Sequence, residues 1–176
     1  MADSFAAPWS RSLAVISGGT TLLLLSVAFV VARAVGAEPG IVRLLALGGP
    51  LALLFGGLLF TVRGYEIAGR TLRIRRLLWS TEVRLEGLRS VRVDPEAMKH
   101  SLRLFGNGGL FSFTGLFSNK RLGRYRAFVT APARAVVLTW TGRTVVVSPD
   151  RPEEFARSLR HRWGLDEAQA GAIEPG

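Results

Sequence analysis

Two uncharged apolar runs dominate the first third of the chain, and each is bracketed by arginines. Leu13 to Ala32 covers twenty residues between Arg11 and Arg33, and Leu44 to Val62 covers nineteen between Arg43 and Arg63. At about 1.5 Å of rise per residue, each would form a helix about 30 Å long, the thickness of a bilayer's hydrocarbon core. Backbone amides in lipid are satisfied only within a helix or a closed barrel, and two runs cannot close a barrel. The pattern therefore predicts a transmembrane helical hairpin over 13–63, with helices at 13–32 and 44–62. Neither run holds an acidic, basic or histidine side chain, which argues against a transporter or proton relay and for an anchor.

Details of the runs refine this reading. A cleaved signal peptide is the rival for the first run, because Val35-Gly36-Ala37 ends in small residues. The length of the run and the second span directly after it favour the anchor. Residues 1–12 read as a disordered tail with Trp9 placed as an interfacial aromatic. Ala46, Gly49, Ala52 and Gly56 share one face of the second helix, with Gly18 and Gly19 as a similar patch on the first. Self-packing of the hairpin explains them, and a dimerisation face is the alternative. Pro50 is expected to kink the second helix. Arg63, Arg70, Arg73, Arg75 and Arg76 crowd the exit of the second run, against Arg33 and Arg43 around Glu38-Pro39-Gly40. That imbalance predicts both termini, and everything after the hairpin, on the cytoplasmic side.

After Arg63 the apolar period shifts towards two. Tyr65-Glu66-Ile67 and Leu72-Arg73-Ile74-Arg75 read as a hairpin across Ala68-Gly69-Arg70, followed by strands at 81–85 and 90–93. Leu102 to Phe105 enters a glycine-broken segment, Gly106 to Phe117, which reads as a bulged or looped crossing whose phenylalanines cover a core. Further strands are expected at 122–130, 135–140 and 144–147. The last element is an amphipathic helix with Asp150 as N-cap, Pro152 in the first turn, Glu153 able to pair with Arg157, and Gly164 just past the end. Its stripe of Phe155, Leu159 and Trp163 is expected to plug the open end of the strands rather than lie on a membrane. The soluble part is one domain, 64–164, with a single core, and 165–176 read as a flexible tail.

Composition sharpens the choice of partner. The mean hydropathy of +0.27 comes from the hairpin. From Arg63 onward there are 20 Lys or Arg against 11 Asp or Glu, so this part carries +9 of the net +10. A basic domain held at a bilayer meets anionic head groups first. Arg63, Arg70, Arg73, Arg75 and Arg76 are the candidate contacts for anionic lipid, attracted without head-group specificity. The segment carrying Phe111, Phe113, Phe117, Lys120 and Arg121 is a candidate loop for a membrane or a partner.

Chemistry is sparsely represented. With no cysteine there is no disulfide framework, thiolate zinc site or cysteine nucleophile. The two histidines, His100 and His161, lie far apart in sequence, and the glycine-rich segment fits neither phosphate-loop pattern. No catalytic residue, metal or cofactor is expected.

Several runs resemble the bacterial pleckstrin-homology-like domain family, whose members often follow two membrane spans. They are Gly106-x-Gly108-Gly109-Leu110-Phe111, Gly115-Leu116-Phe117, Leu122-Gly123-x-Tyr125, and Thr144 to Asp150 continuing into Pro152-Glu153-x-Phe155. The resemblance covers roughly Tyr65 to Trp163. It implies a membrane protein of α+β class: a two-helix transmembrane hairpin followed by a PH-like split β-barrel of about seven strands, capped by a C-terminal α-helix. Arg63 and Arg73-Ile74-Arg75 are similar in spacing to the phosphoinositide-binding pattern of eukaryotic members, although the turn is short. The expected function is a non-enzymatic binding or assembly module on the cytoplasmic face of a bacterial inner membrane. It would contact anionic lipid, a protein partner or copies of itself, and not nucleic acid. A lipid-modifying enzyme or enzyme subunit, and a basic nucleic-acid-binding domain, are the alternatives.

Overall fold

The computed structural model describes residues 3–34 and 40–165. The readings of Val35-Gly36-Ala37, of the turn at Glu38-Pro39 and of the tail from Asp166 onward fall outside them. Both apolar runs are helical, as α1 (Arg11–Ala34) and α2 (Ile41–Leu59), and the two helices pack side by side. Ser10 caps α1, its Oγ accepting the Leu13 N–H at 3.2 Å. The second helix ends at Leu59 rather than at Val62, and Pro50 lies inside it without interrupting it. Among the described residues, α1 alone is long and apolar enough to cross a membrane by length and composition, while α2 offers the shorter apolar helix Leu47–Leu59.

The N-terminal segment is not a disordered tail. Asp3–Ala6 form β1, paired antiparallel with β2 (Gly64–Ala68) directly after α2. Phe5 is buried in the main core with its ring edge-on to Phe155 at 5.1 Å. Four residues are too few to carry a period of two, and the burial of Phe5 makes the strand. The chain therefore leaves a sheet through α1 and returns through α2 to the neighbouring strand of the same sheet.

That first sheet has the order β1-β2-β3-β4, with β3 at Thr71–Arg75 and β4 at Ser80–Arg84. The second holds β5 (Ser90–Val93), β6 (Leu102–Gly108), β7 (Phe113–Asn119), β8 (Gly123–Val129), β9 (Val136–Trp140) and β10 (Arg143–Val147), in the order β5-β9-β10-β8-β7-β6. Among the described residues, the expected barrel of about seven strands is thus ten strands in two sheets that do not close. Between β4 and β5 the chain turns through Leu85 and Leu88, both buried, and Arg89 N–H bonds to Thr139 O at 2.8 Å on the second sheet. Burying those leucines carries the chain across the core rather than along the first sheet.

The glycine-broken segment is a long β-hairpin. Gly106 faces Gly115 across β6 and β7, with φ of +105° and +141°. A Cβ on either would overlap the backbone of the opposite strand, so glycine here is a condition of pairing and not a break.

The main core lies between the sheets, where Tyr65, Ile67, Leu72 and Ile74 meet Val91, Val136, Leu138 and Val145. Helix α3 (Pro152–Trp163) closes it with Phe155, Ala156 and Leu159, all fully buried. This agrees with a plugging helix, and Gly164 ends it in the left-handed conformation. Asp150 is not its cap: the N-cap is Arg151. Asp150 instead exchanges two bonds with Ala6, accepting its N–H on Oδ1 at 3.1 Å and donating its own N–H to the carbonyl at 2.9 Å. In the first turn Arg151 pairs with Glu154 at 2.8 Å.

The second sheet is apolar on its other face too. Phe117, Tyr125, Val137 and Val146 form a second cluster beneath Ala97 and Met98. Among the described residues one domain thus carries two clusters, where length alone suggested a single core.

Self-packing does not explain the helix glycines. A Cβ on Gly18, Gly19, Gly49 or Gly56 would meet no described atom within 4 Å. Gly57 differs, and its neighbours belong to the domain.

Candidate functional site

The end of the domain that receives the two helices is where polar side chains converge. The Phe60 carbonyl, at the C-terminus of α2, accepts Arg76 Nη1 at 2.6 Å and Ser112 Oγ at 3.2 Å. Arg76 is only 8% exposed, and its Nε donates to Thr81 Oγ1 at 3.0 Å. Its guanidinium lies 5.5 Å from the ring centres of Phe60 and Phe128 and 5.9 Å from that of Trp79. Burial pulls the Arg76 pKa below its ordinary value, the charge of Arg126 adds to this, and Tyr65 opposes it.

On α1, buried Ser17 accepts the Phe111 N–H at 2.9 Å and donates to Gly109 O at 3.2 Å. On α2, a Cβ at Gly57 would come within 2.7 Å of the Leu110 side chain. The β6–β7 loop is therefore wedged against both helices.

Below this, Tyr65 ties the two sheets together. Its hydroxyl donates to Phe128 O at 2.6 Å and accepts the Ser148 N–H at 3.0 Å. Ser148 Oγ in turn accepts the N–H groups of Thr130 at 2.9 Å and Ala131 at 3.2 Å. Burial pushes the Tyr65 phenol up to about 12, against the hydrogen bonds with Ser148 and the charge of Arg76.

Apolar side chains at the same end point outward. Leu77, Leu78 and Trp79, in the turn between β3 and β4, are exposed, Leu78 to 75%. Trp79 meets Phe60 edge-on at 5.2 Å, and Trp9 lies 6.0 Å from Phe111. A cleft of about 340 Å³ opens among Ala7, Trp9, Leu58, Thr61, Val62, Arg63 and Leu77.

The expected arginine cluster is not one cluster. Arg63 and Arg75 are exposed beside the helix ends, joined through Arg63 N–H to Arg75 O at 2.8 Å. Arg70 is in the turn at the other end of β2 and β3, 3.9 Å from Glu86. Arg73 faces Glu66 on one side and Glu82 on the other, bonding Glu82 at 3.0 Å. Arg76 turns inward, which removes it from any head-group set.

The expected loop set divides as well. Phe111 is held at the helix base, with Phe113 half-buried at the start of β7. Phe117 is buried and stacks on Tyr125 at 6.0 Å. Lys120 and Arg121 lie in the turn at the opposite end of β7, where Arg121 pairs with Asp94 at 3.1 Å. A second cleft, about 560 Å³, opens there among Glu96, Lys99, His100, Asn119, Lys120 and Arg121.

Sequence reasoning missed Ser17, Ser112 and the Leu77-Leu78-Trp79 turn. The last had a signal, an apolar triplet immediately after an arginine pair. The inward turn of Arg76 had one too, since a period of two places it on the face of Leu72 and Ile74.

The family model described as bacterial PH domain matches residues 63–163. The chain belongs to that family. No curated protein and no solved structure matches it. The match to the PH domain begins at Arg63, so it omits β1 and both helices. Yet β1 completes the first sheet of the PH domain, and the loop between β6 and β7 reaches out of it to hold α1 and α2.

Proposed function

We propose that this protein is a non-enzymatic binding or assembly module, a PH domain held by a two-helix hairpin on the cytoplasmic face of a bacterial inner membrane. The observation that carries the proposal is the pairing of β1 with β2. It puts the start of α1 and the end of α2 on adjacent strands, so a chain that crosses a bilayer through α1 has to come back through α2. The same pairing speaks against removal of α1 as a signal peptide, because cleavage after it would take a strand and Phe5 out of the PH domain.

The excess of arginine after α2 favours the cytoplasmic side. Anionic lipid is met without head-group specificity, chiefly by Arg63 and Arg75 at the helix base. The far end of the domain and the exposed edge strand β6, where Phe105 is 79% exposed, are left for a protein partner or a second copy. Nucleic acid is not among the proposed partners. No chemical step is assigned: His100 lies in the segment before β6 and His161 on α3.

Fractionation of cells expressing the full chain tests the reading. The protein should stay with membranes through alkaline carbonate washing, and protease added outside intact spheroplasts should leave the PH domain whole. Release by carbonate, or digestion of the domain from outside, would overturn it. A photo-crosslinker at Phe105 should then join the chain to a protein, with mass spectrometry separating a second copy from another partner.

A further inference from the structure

We infer that the helix-bearing end of the PH domain is itself embedded in the head-group layer, with the turn Leu77-Leu78-Trp79 as its inserted edge. This rests on the anchored reading above and adds to it the surface that meets lipid.

Inside and outside are inverted at this end. Around the helix base, the polar groups of Arg76, Ser17 and Ser112 point inward and are bonded. The apolar groups of Trp9, Phe60, Leu77, Leu78 and Trp79 point outward. In water this arrangement leaves a contiguous apolar collar uncovered. At a membrane surface it is the favoured one, because aromatic rings and short apolar turns settle at the boundary between head groups and acyl chains.

Contacts tie the collar to the helix ends. Trp79 touches Phe60, Trp9 touches Phe111, and Leu77 shares a cleft with Trp9 and Leu58. Each of these residues is at most a few positions from the end of a helix or packed on one. A bilayer crossed by α1 and α2 therefore reaches the β6–β7 loop, bonded to Ser17 and packed at Gly57, and the collar beside it before the rest of the domain. Exposed Arg63 and Arg75 stand beside it, where cations meet lipid phosphates.

A second copy is the alternative covering, but these side chains adjoin the ends of two apolar helices and the exposed Arg63 and Arg75, which favours anionic lipid as the occupant.

The absence of native cysteine allows a direct test in the full chain. Single substitutions Leu22→Cys in α1, Leu78→Cys in the turn and Leu102→Cys at the start of β6 all fall on exposed side chains. Leu102 lies six residues of strand from Gly108 at the helix end, about 20 Å. Each variant is labelled with an environment-sensitive fluorophore and reconstituted in vesicles of phosphatidylcholine and phosphatidylglycerol. Quenching is measured with iodide and with lipids carrying nitroxides at shallow or deep positions.

The label at residue 78 should be quenched by the shallow nitroxide and be about fivefold less sensitive to iodide than the label at residue 102. The label at residue 22 should respond to the deep nitroxide. If residue 78 is as open to iodide as residue 102 while residue 22 stays in lipid, the inserted edge is refuted and the anchor survives. If residue 78 is shielded from iodide yet untouched by either nitroxide, protein covers it and the inference also fails. If iodide reaches residue 22 as well, the anchor falls with it.

Discussion

The two ends of the PH domain solve the same problem in opposite ways. At the end away from the helices, charges face out and pair with one another, Arg70 with Glu86 and Lys99 with Glu96, while Arg121 reaches the buried Asp94. At the helix end the arginine is buried, the serines and the tyrosine are bonded inward, and leucine and tryptophan face out. The first pattern is that of a surface in water, where exposed ion pairs contribute little. The second is the pattern expected of a surface in the proposed contact with lipid, and its hydrogen bonds hold separate pieces of chain together. Net charge does not reveal this difference, since arginines occur at both ends and only their partners differ.

The comparison is broken most directly at Arg76. Arg76→Ala takes one donor from the Phe60 carbonyl, leaving Ser112 there, and empties a site between Phe60, Trp79 and Phe128. A loss of about 3 kcal/mol is expected from the charged hydrogen bonds and lost packing. Arg70→Ala, at the other end, should change stability by less than about 0.5 kcal/mol. Denaturant titration of the purified full chain in detergent measures both, and equal losses would erase the distinction between the ends.

Tyr65 sharpens it with pH. Tyr65→Phe removes the bonds to Phe128 O and from Ser148 N–H and should cost about 2 kcal/mol. The folded phenol titrates near 12 against about 10 unfolded, so folding favours the neutral form. The stability this gives is complete below pH 10 and is lost as pH rises from 10 through 12, at about 1.4 kcal/mol for each step of one in pH. Unfolding curves across that window should show a steeper alkaline loss for the native chain than for Tyr65→Phe. Parallel losses would show that the buried phenol does not couple to folding.

Ser17→Ala, on α1, should cost about 1 kcal/mol. Its more specific readout is the Phe111 amide, which loses its acceptor. Hydrogen exchange there should quicken about fivefold relative to Tyr65, as a loss of that size in local opening implies, and an unchanged ratio would mean that α1 does not hold the loop.

Much of this architecture was legible because apolar runs of about twenty residues form helices, and because β-branched runs such as Val145-Val146-Val147 favour strands. Helix α3 followed from the stripe of Phe155 and Leu159. The two-sheet arrangement was hidden because the inward turn of Leu85 and Leu88 is a tertiary event. Strands β6 and β7 were hidden because Gly106 and Gly115 read as breaks until they are seen opposite each other. The site was legible in charge but not in geometry. A short stretch holds Arg63, Arg70, Arg73, Arg75 and Arg76, yet strand pairing sends Arg70 to one end, Arg63 and Arg75 to the other, and Arg76 inside.

Arg73 provides the smallest and most discriminating effect. It stands midway along the first sheet, with Glu66 and Glu82 as its cross-strand neighbours and a bond of 3.0 Å to Glu82. A double-mutant cycle between Arg73 and Glu82 should return about 0.5 kcal/mol, falling further in high salt, because both side chains are about half exposed. For the same reason Arg73→Ala in a membrane-bound chain should leave sensitivity to anionic lipid almost unchanged, while Arg75→Ala should reduce it. A positive charge already flanked by two carboxylates has little field left to offer a phosphate, whereas Arg75, opposite Gly64 and Ser80, keeps its own. If Arg73 and Arg75 prove equal against vesicles of rising phosphatidylglycerol content, total charge and not its placement governs the contact, and the two ends of the domain are electrostatically equivalent to the membrane.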